Sequence, residues 1–323
     1  MSFLRRTSNR NDRQSRRSDR GSISVVAAVS MVPLLAVGAV LVDSGRTLAE
    51  RQQLQSAVEA AALRGAYQRI SGGSGCADAA GSVAAAVNVT PSVTCLENDS
   101  LVVVDATARR SLTLGGLVGR SEATISASTG VTIGAATAMI GVRPLGLCAE
   151  HPEFEAWVAS QFTDTSTHRI NIESDGSLCA GQAPGNWGIL DLDGGANSNA
   201  DTQDWINSGY SGEVRTLSTI GGDPGIPTPA IGIDSIFGIP ITIPVFSDVT
   251  ANGQGATYTI VGFVGIVVES AVLNGAAADR HLIVRFTTDH GTSIATGCCT
   301  GLAEVNGGIA AARICSLDES GVC

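Results

Sequence analysis

The sequence predicts an α+β protein: an N-terminal transmembrane helix continuing into a stalk helix, then a small α+β unit, then a β-rich, disulfide-containing exported domain. Three observations predict it. A run of 20 residues without a charge follows an arginine-rich tail, all eight cysteines lie beyond residue 75, and β-branched segments broken by glycine and proline fill the later part of the chain.

With 323 residues there is room for more than one compact unit, since domains usually hold about 100 to 200 residues each. Only 15% of residues are charged while 44% are hydrophobic, which excludes a disordered polymer and a charged helical bundle. The charge is unevenly placed. Every basic residue is arginine; residues 1–20 hold seven of them against Asp12 and Asp19, a net +5, so the rest of the chain carries −15 of the total −10. A basic arm suits nucleic acid or a membrane. Here it abuts an apolar run and no basic patch continues it, so the membrane reading is preferred and no nucleic-acid partner is expected.

Residues 1–22 are read as a basic cytoplasmic tail. Ile23 to Val42 can form a helix about 30 Å long, enough to cross a bilayer. Pro33 is tolerated in such a helix, with a kink. By the positive-inside rule, Arg16, Arg17 and Arg20 before Gly21 hold the tail in the cytoplasm, and everything past Asp43 is delivered across a cell membrane spanned once. The competing reading is a cleaved signal peptide, against which stand the length of the apolar run and the lack of a turn after it. Arg16-Arg17 lacks the apolar residues that a twin-arginine signal carries next.

Residues 43–70 contain no proline and are rich in helix formers, so the stalk continues the membrane helix. Leu48, Gln52, Gln55, Glu59 and Ala62 would line one stripe, and Leu54, Ala57, Val58 and Ala61 a narrower apolar one. Two uses remain open: docking on the chain's own domain, or packing against sister subunits through small residues. SGGSG at 71–75 ends the helix.

An α+β unit is expected over 71–142, with strand-like alternation at 101–108 and 123–133, and a β-rich domain over 143–323. In the latter, GGDPGIPTPAIGI, Pro240 and Pro244 bar a helix and suggest loops and edge strands, while 256–273 and 281–288 read as a strand pair. The cysteines (Cys76, Cys95, Cys148, Cys179, Cys298, Cys299, Cys315, Cys323) show no C-x-x-C spacing, which favours structural disulfides over zinc or thiol redox chemistry. Cys76 with Cys95 and Cys148 with Cys179 are the expected neighbouring pairs. Cys298 and Cys299 are expected to bond apart, to Cys315 and Cys323.

Asp191, Asp193, Asn197, Asn199 and Asp201 place oxygen-bearing side chains at alternate positions on a glycine-rich loop, the ingredients of a calcium site. An EF-hand loop would need Gly and Glu where Ala196 and Thr202 stand, so a turn held by Asx side chains is preferred, and no cofactor is expected beyond possible use of that cation. His151, His168, His281 and His290 form no H-E-x-x-H, and no G-x-S-x-G is present, so neither an enzyme nor a small-molecule substrate is expected.

The stretch from Arg20 to Ala66 resembles the N-terminal region of TadE/TadG-like proteins of the tight-adherence (Flp pilus) system. It carries Gly21 before the apolar run, Asp43, Gly45 and Arg46 at its outer end, then Arg51, Gln55, Ala61, Leu63, Gly65 and Ala66. Glu59 and Arg64 depart from the family's commoner Asp and Ala. PGNWGILDLDGG at 184–195, DWINSGY at 204–210, and the later IPVFSDV and YTIVGFVGI blocks are similar to the exported domain of the TadG-related branch. The resemblance implies a non-catalytic pilus-assembly or secretion component whose partners are other Tad/Flp components and membrane helices. Val26 stands where pilins carry Glu, which argues against prepilin cleavage, and Asp164 to His168 lacks the second Ser of a D-x-S-x-S metal site. A surface adhesin presenting the acidic loop is the alternative.

Overall fold

The computed structural model describes residues 12–171, 188–195, 199–222, 232–250, 255–273, 279–299 and 306–315, with only the backbone of 12–23, 117, 118 and 199. Helix α1 runs unbroken through Pro33 from Asp12 to Ile70, 59 residues, so the apolar run and the stalk are one helix. Between Val25 and Val42 its large apolar side chains are 46–71% exposed, as expected of a surface meant for lipid. Among the described residues this is the one helix long and apolar enough to cross a membrane. It ends at the predicted glycines. Ser71 N–H bonds Tyr67 O, Gly73 N–H bonds Gln68 O, and Gly72 takes φ +80°, the left-handed turn that satisfies the last carbonyls.

The chain divides into two compact units that are not successive lengths of sequence. The first comprises residues 1–62, 76–96 and 103–129. It holds most of α1, the short helix α2 (Ala79–Ala86), and strands β1 (Pro91–Glu97), β2 (Leu101–Ser111) and the first part of β3 (Glu122–Ile140), ordered β1-β2-β3. The α1 stripe of Leu54, Ala57, Val58, Ala61 and Ala62 is buried, as are Val104, Ala106 and Ala108 of β2. Cys76 and Cys95 are bonded, as the sequence suggested.

The second unit comprises residues 63–75, 97–102 and 130–323. The rest of β3 pairs there with β7 (Val214–Arg215), β12 (Ile294–Cys298) and β13 (Ala310–Cys315). A second sheet runs β4-β9-β10-β11-β5, from β4 (Leu147–Cys148), β5 (Thr167–Asn171), β9 (Pro240–Thr250), β10 (Thr257–Val272) and β11 (His281–Thr287), with β6 (Leu190–Asp191) paired to β8 (Thr219–Gly222) and β8 to β10. The predicted strand pair is β10 with β11, antiparallel with a bulge between Val268 and Ser270. Strand β10 is buried on both faces. Val261, Val264 and Ile266 enter one apolar core, Tyr258, Ile260 and Phe263 another, which is why it reads as a continuous apolar run.

Two expectations need correction. Strand β9 lies inside its sheet rather than at an edge. Pro244 is accommodated because the neighbour on its other side, β4, covers only Val245 and Phe246, so its missing N–H costs no ladder bond. Cys298 and Cys299 are bonded to each other, not separately to Cys315 and Cys323. Strand alternation would point adjacent side chains to opposite faces, but Cys299 adopts φ +65° as β12 ends, and both sulfurs come to lie near Ala311 O, at 3.1 and 4.0 Å. Cys148 and Cys315 each take part in a disulfide as well, while Cys179 and Cys323, and with them the expected Cys148–Cys179 pair, lie outside the described residues.

Candidate functional site

Where the apolar run ends, α1 is clasped by its own first unit. Asp43, the first charge after 22 uncharged residues, is only 6% exposed between neighbours that are open. Its two carboxylate oxygens accept the backbone N–H groups of Thr113 (3.1 Å) and Leu114 (2.8 Å). Those residues open the β2–β3 connection, whose 3₁₀ turn spans Gly115–Val118 with Leu114 at its N-terminal boundary. The carboxylate thus supplies an acceptor for the two backbone N–H groups that lead into the turn.

Arg46, one turn further, donates from Nη1 to Thr113 Oγ1 (3.1 Å), and Thr47 Oγ1 bonds back to Asp43 O (2.7 Å). Asp43 and Arg46 thus grip the same loop residue from consecutive turns of the helix. Glu50 is ion-paired with Arg110 of β2, and both are largely buried. Gln55 Nε2 lies 2.9 Å from Glu59 Oε1 and 2.9 Å from Thr129 Oγ1, and Gln53 Nε2 donates to Ala86 O at 2.9 Å. Gly45 has open space around it, so this turn makes no steric demand for glycine.

In the second unit, Gly65 is buried against Gly75. A Cβ built there would stand 2.4 Å from Gly75 O, so the helix can pass only if this residue has no side chain. Ala61 is buried and Arg51 is exposed. Of the proposed orienting residues, Arg16, Arg17, Arg20 and Gly21 lie within α1 by their backbone, and Pro33 sits exposed in it. Along the expected stripe from Leu48 to Ala62, Leu48 and Gln52 are exposed, Gln55 and Glu59 are half-buried and Ala62 is buried.

Residues 21–68 match the family model described as putative Flp pilus-assembly TadE/G-like. The helix carries a TadE/G-like segment. No curated protein and no solved structure matches the chain. Within the TadE/G-like segment, Asp43, Arg46, Gln55, Ala61 and Gly65 all meet their own chain. Sequence reasoning found these residues but not Thr113, Leu114, Glu50 or Arg110. The loop contributes backbone N–H groups about 70 residues away, and these leave no pattern to find.

The acidic loop is built as Asx turns among the described residues. Asp191 Oδ1 accepts Gly194 N–H (3.0 Å) and Asp193 Oδ1 accepts Gly195 N–H (2.8 Å). Burial first, then Asp193, pushes the Asp191 carboxyl above the usual range. Asp201 lies in α4 (Asn199–Ser208), while Asn197 and the side chain of Asn199 lie outside the described residues. Among the described residues no three His, Cys, Asp or Glu side chains gather as a metal site would need. Trp205 stands edge-on to Tyr210 at 5.5 Å; Trp187 lies outside the described residues.

A cluster that sequence reasoning missed surrounds His168. Its buried ring meets Glu153 Oε2 at 2.7 Å through Nδ1, and Asp164 Oδ2 and Ser166 Oγ at 3.4 Å through Nε2. This superficially resembles a hydrolase relay. However, Ser166 gives both its backbone N–H and its hydroxyl to Asp164, which holds that carboxyl below the usual range. The cluster is a tether between α3 (Pro152–Ala159), which carries Glu153, and β5, which carries His168.

Proposed function

We propose that this chain is a membrane-anchored, non-catalytic component of a bacterial Flp (tight-adherence) pilus-assembly or secretion apparatus, of the TadG-related branch. Its tail faces the cytoplasm, its domain lies outside, and it acts through contacts with other pilus components, their membrane helices or the envelope. One observation carries this reading: the TadE/G-like match falls on the helix that bears the exposed apolar span and the clasp at its outer end. The disulfides and the +5 tail support the sidedness, since thiols are oxidised outside the cytoplasm and arginines are retained within it.

Deleting the gene in a piliated host tests this. Pili should disappear and return with the wild-type gene supplied in trans. Intact pili with reduced surface attachment would replace this reading with that of an adhesin. Sidedness is checked by alkaline phosphatase fused after residue 70, which should be active, and after residue 15, which should not.

A further inference from the structure

Beside the clasp lies a cleft of about 400 Å³ between α1 and the β2–β3 connection, entirely within the first unit. Its apolar wall includes Val40, Leu48, Leu112 and Leu114; its two cations are Arg51 and Arg120. Asp43 is the single carboxylate that lines it, and both its oxygens already accept N–H groups of the loop. Neither Arg51 nor Arg120 is ion-paired to a described residue.

From these features we propose that the cleft binds one anionic glycerophospholipid of the leaflet that the helix leaves. This rests on the membrane reading above. Val40 belongs to the uncharged run, so the cleft begins inside the hydrocarbon and continues the lipid-facing surface of the helix. From Val40 to Arg51 the helix rises about 16 Å, while the polar zone of each leaflet is roughly 5 to 7 Å deep. Helical side chains lean toward the helix N-terminus, and long arginines reach along apolar surface to polar groups. A guanidinium at Arg51 that leans this way would reach down toward phosphate level, and Arg120 lines the same cleft. Two planar guanidinium forks can hold a phosphate by paired N–H donors, while the acyl chain lies on Val40 and Leu114. A neutral headgroup such as phosphocholine would add its own cation beside both arginines. Preference for net negative charge follows.

The test uses the full chain in mild detergent, with dioleoylphosphatidylglycerol or dioleoylphosphatidylcholine titrated in and retained lipid counted by native mass spectrometry. One phosphatidylglycerol should stay bound per chain, with phosphatidylcholine retained markedly less. At roughly fivefold per arginine, Arg51→Gln with Arg120→Gln should weaken phosphatidylglycerol retention roughly 25-fold. Arg109→Gln, which removes an exposed charge elsewhere on β2, should leave it unchanged. Equal retention of the two lipids by the wild-type chain would overturn the site without depending on any variant, and so would a double variant that still prefers phosphatidylglycerol. Carbonate extraction of native membranes separates the two readings. A chain released by carbonate overturns the anchor and the lipid site together, whereas an integral chain indifferent to headgroup charge overturns the lipid site alone.

Discussion

Replacing Asp43 by alanine should open the β2–β3 connection while leaving the rest of the fold in place. The carboxylate accepts two N–H groups, at 3.1 and 2.8 Å, and is 6% exposed. A hydrogen bond to a charged group contributes about 1.5 to 3 kcal/mol, and a buried donor left unpaired costs about 1 to 3 kcal/mol. Desolvation of the carboxylate offsets part of this, so the clasp should be worth about 2 to 4 kcal/mol. Arg120 sits in that loop, so trypsin reports its opening directly. When reclosing outpaces cleavage, the rate follows the open population, and Asp43→Ala should speed cutting after Arg120 by roughly 30- to 700-fold. Asp43→Asn keeps one acceptor and turns an amide N–H toward the other donor, so it should fall between. Arg46→Ala loses an exposed bond to Thr113 and should change the rate by a few-fold at most. The reasoning is refuted if Asp43→Ala is cut at Arg120 no faster than the wild type while other sites retain their protection.

Further outcomes follow from particular contacts. Gly65→Ala should lower the melting midpoint, because its Cβ would meet Gly75 O at 2.4 Å and overpacking of this kind costs about 1 to 3 kcal/mol; Gly81→Ala in α2, with nothing within 4 Å, should hold or raise it, and equal midpoints for the two variants would refute the close approach. Replacing both Cys76 and Cys95 by serine frees a 19-residue separation and should cost about 3 kcal/mol, read as a lowered denaturant midpoint, and an unmoved midpoint would show that the bond does not stabilise the unit. Because the Asp191 carboxyl is raised in the folded chain, its favourable contribution is greatest in acid and is lost as pH rises through the folded value. Asp191→Asn, which keeps an acceptor for Gly194 N–H, should therefore melt at or above the wild-type temperature at pH 7, with the gap closing toward pH 4; a lower midpoint at pH 7 sinks this. Adding calcium reverses the order if the loop binds it, and a wild-type midpoint that calcium leaves unmoved disposes of that use.

Periodicity and punctuation are local, so what depends on them could be read directly. The buried stripe of Leu54, Ala57, Val58 and Ala61 follows from three-to-four spacing, and the helix end follows from Gly72 and Gly73. Strand β10 announced itself by β-branched residues too few to span a membrane. What escaped depends on partners distant in sequence or on single dihedral angles. Asp43 is bound by N–H groups of residues 113 and 114, which any residue but proline would supply. The Cys298–Cys299 bond hinges on φ at one residue, and the tolerance of Pro244 on how short β4 is. The Glu153–His168 contact likewise depends on how α3 meets β5.

The clasp also bears on how the TadE/G-like helix could meet other subunits. Small residues on a helix can serve close approach to any partner, and sequence alone left two candidates for Ala61 and Gly65. Both are buried within their own chain, and a buried surface cannot pack against a sister subunit without first being uncovered. Uncovering it would mean releasing Gln55 from Thr129 and drawing Gly65 away from Gly75, with no new contact formed in the same step. Partner helices are therefore expected on the exposed span, where Gly38 has no heavy atom within 4 Å of a built Cβ and Val29, Val32 and Leu35 stand open. On this view the signature beyond Asp43 holds the helix to its own chain, and the exposed span is left to meet other helices. Gly38→Leu would separate these roles: helix association in the membrane should weaken while protection at Arg120 stays as in the wild type, and a loss of both together would show that span and clasp are not independent.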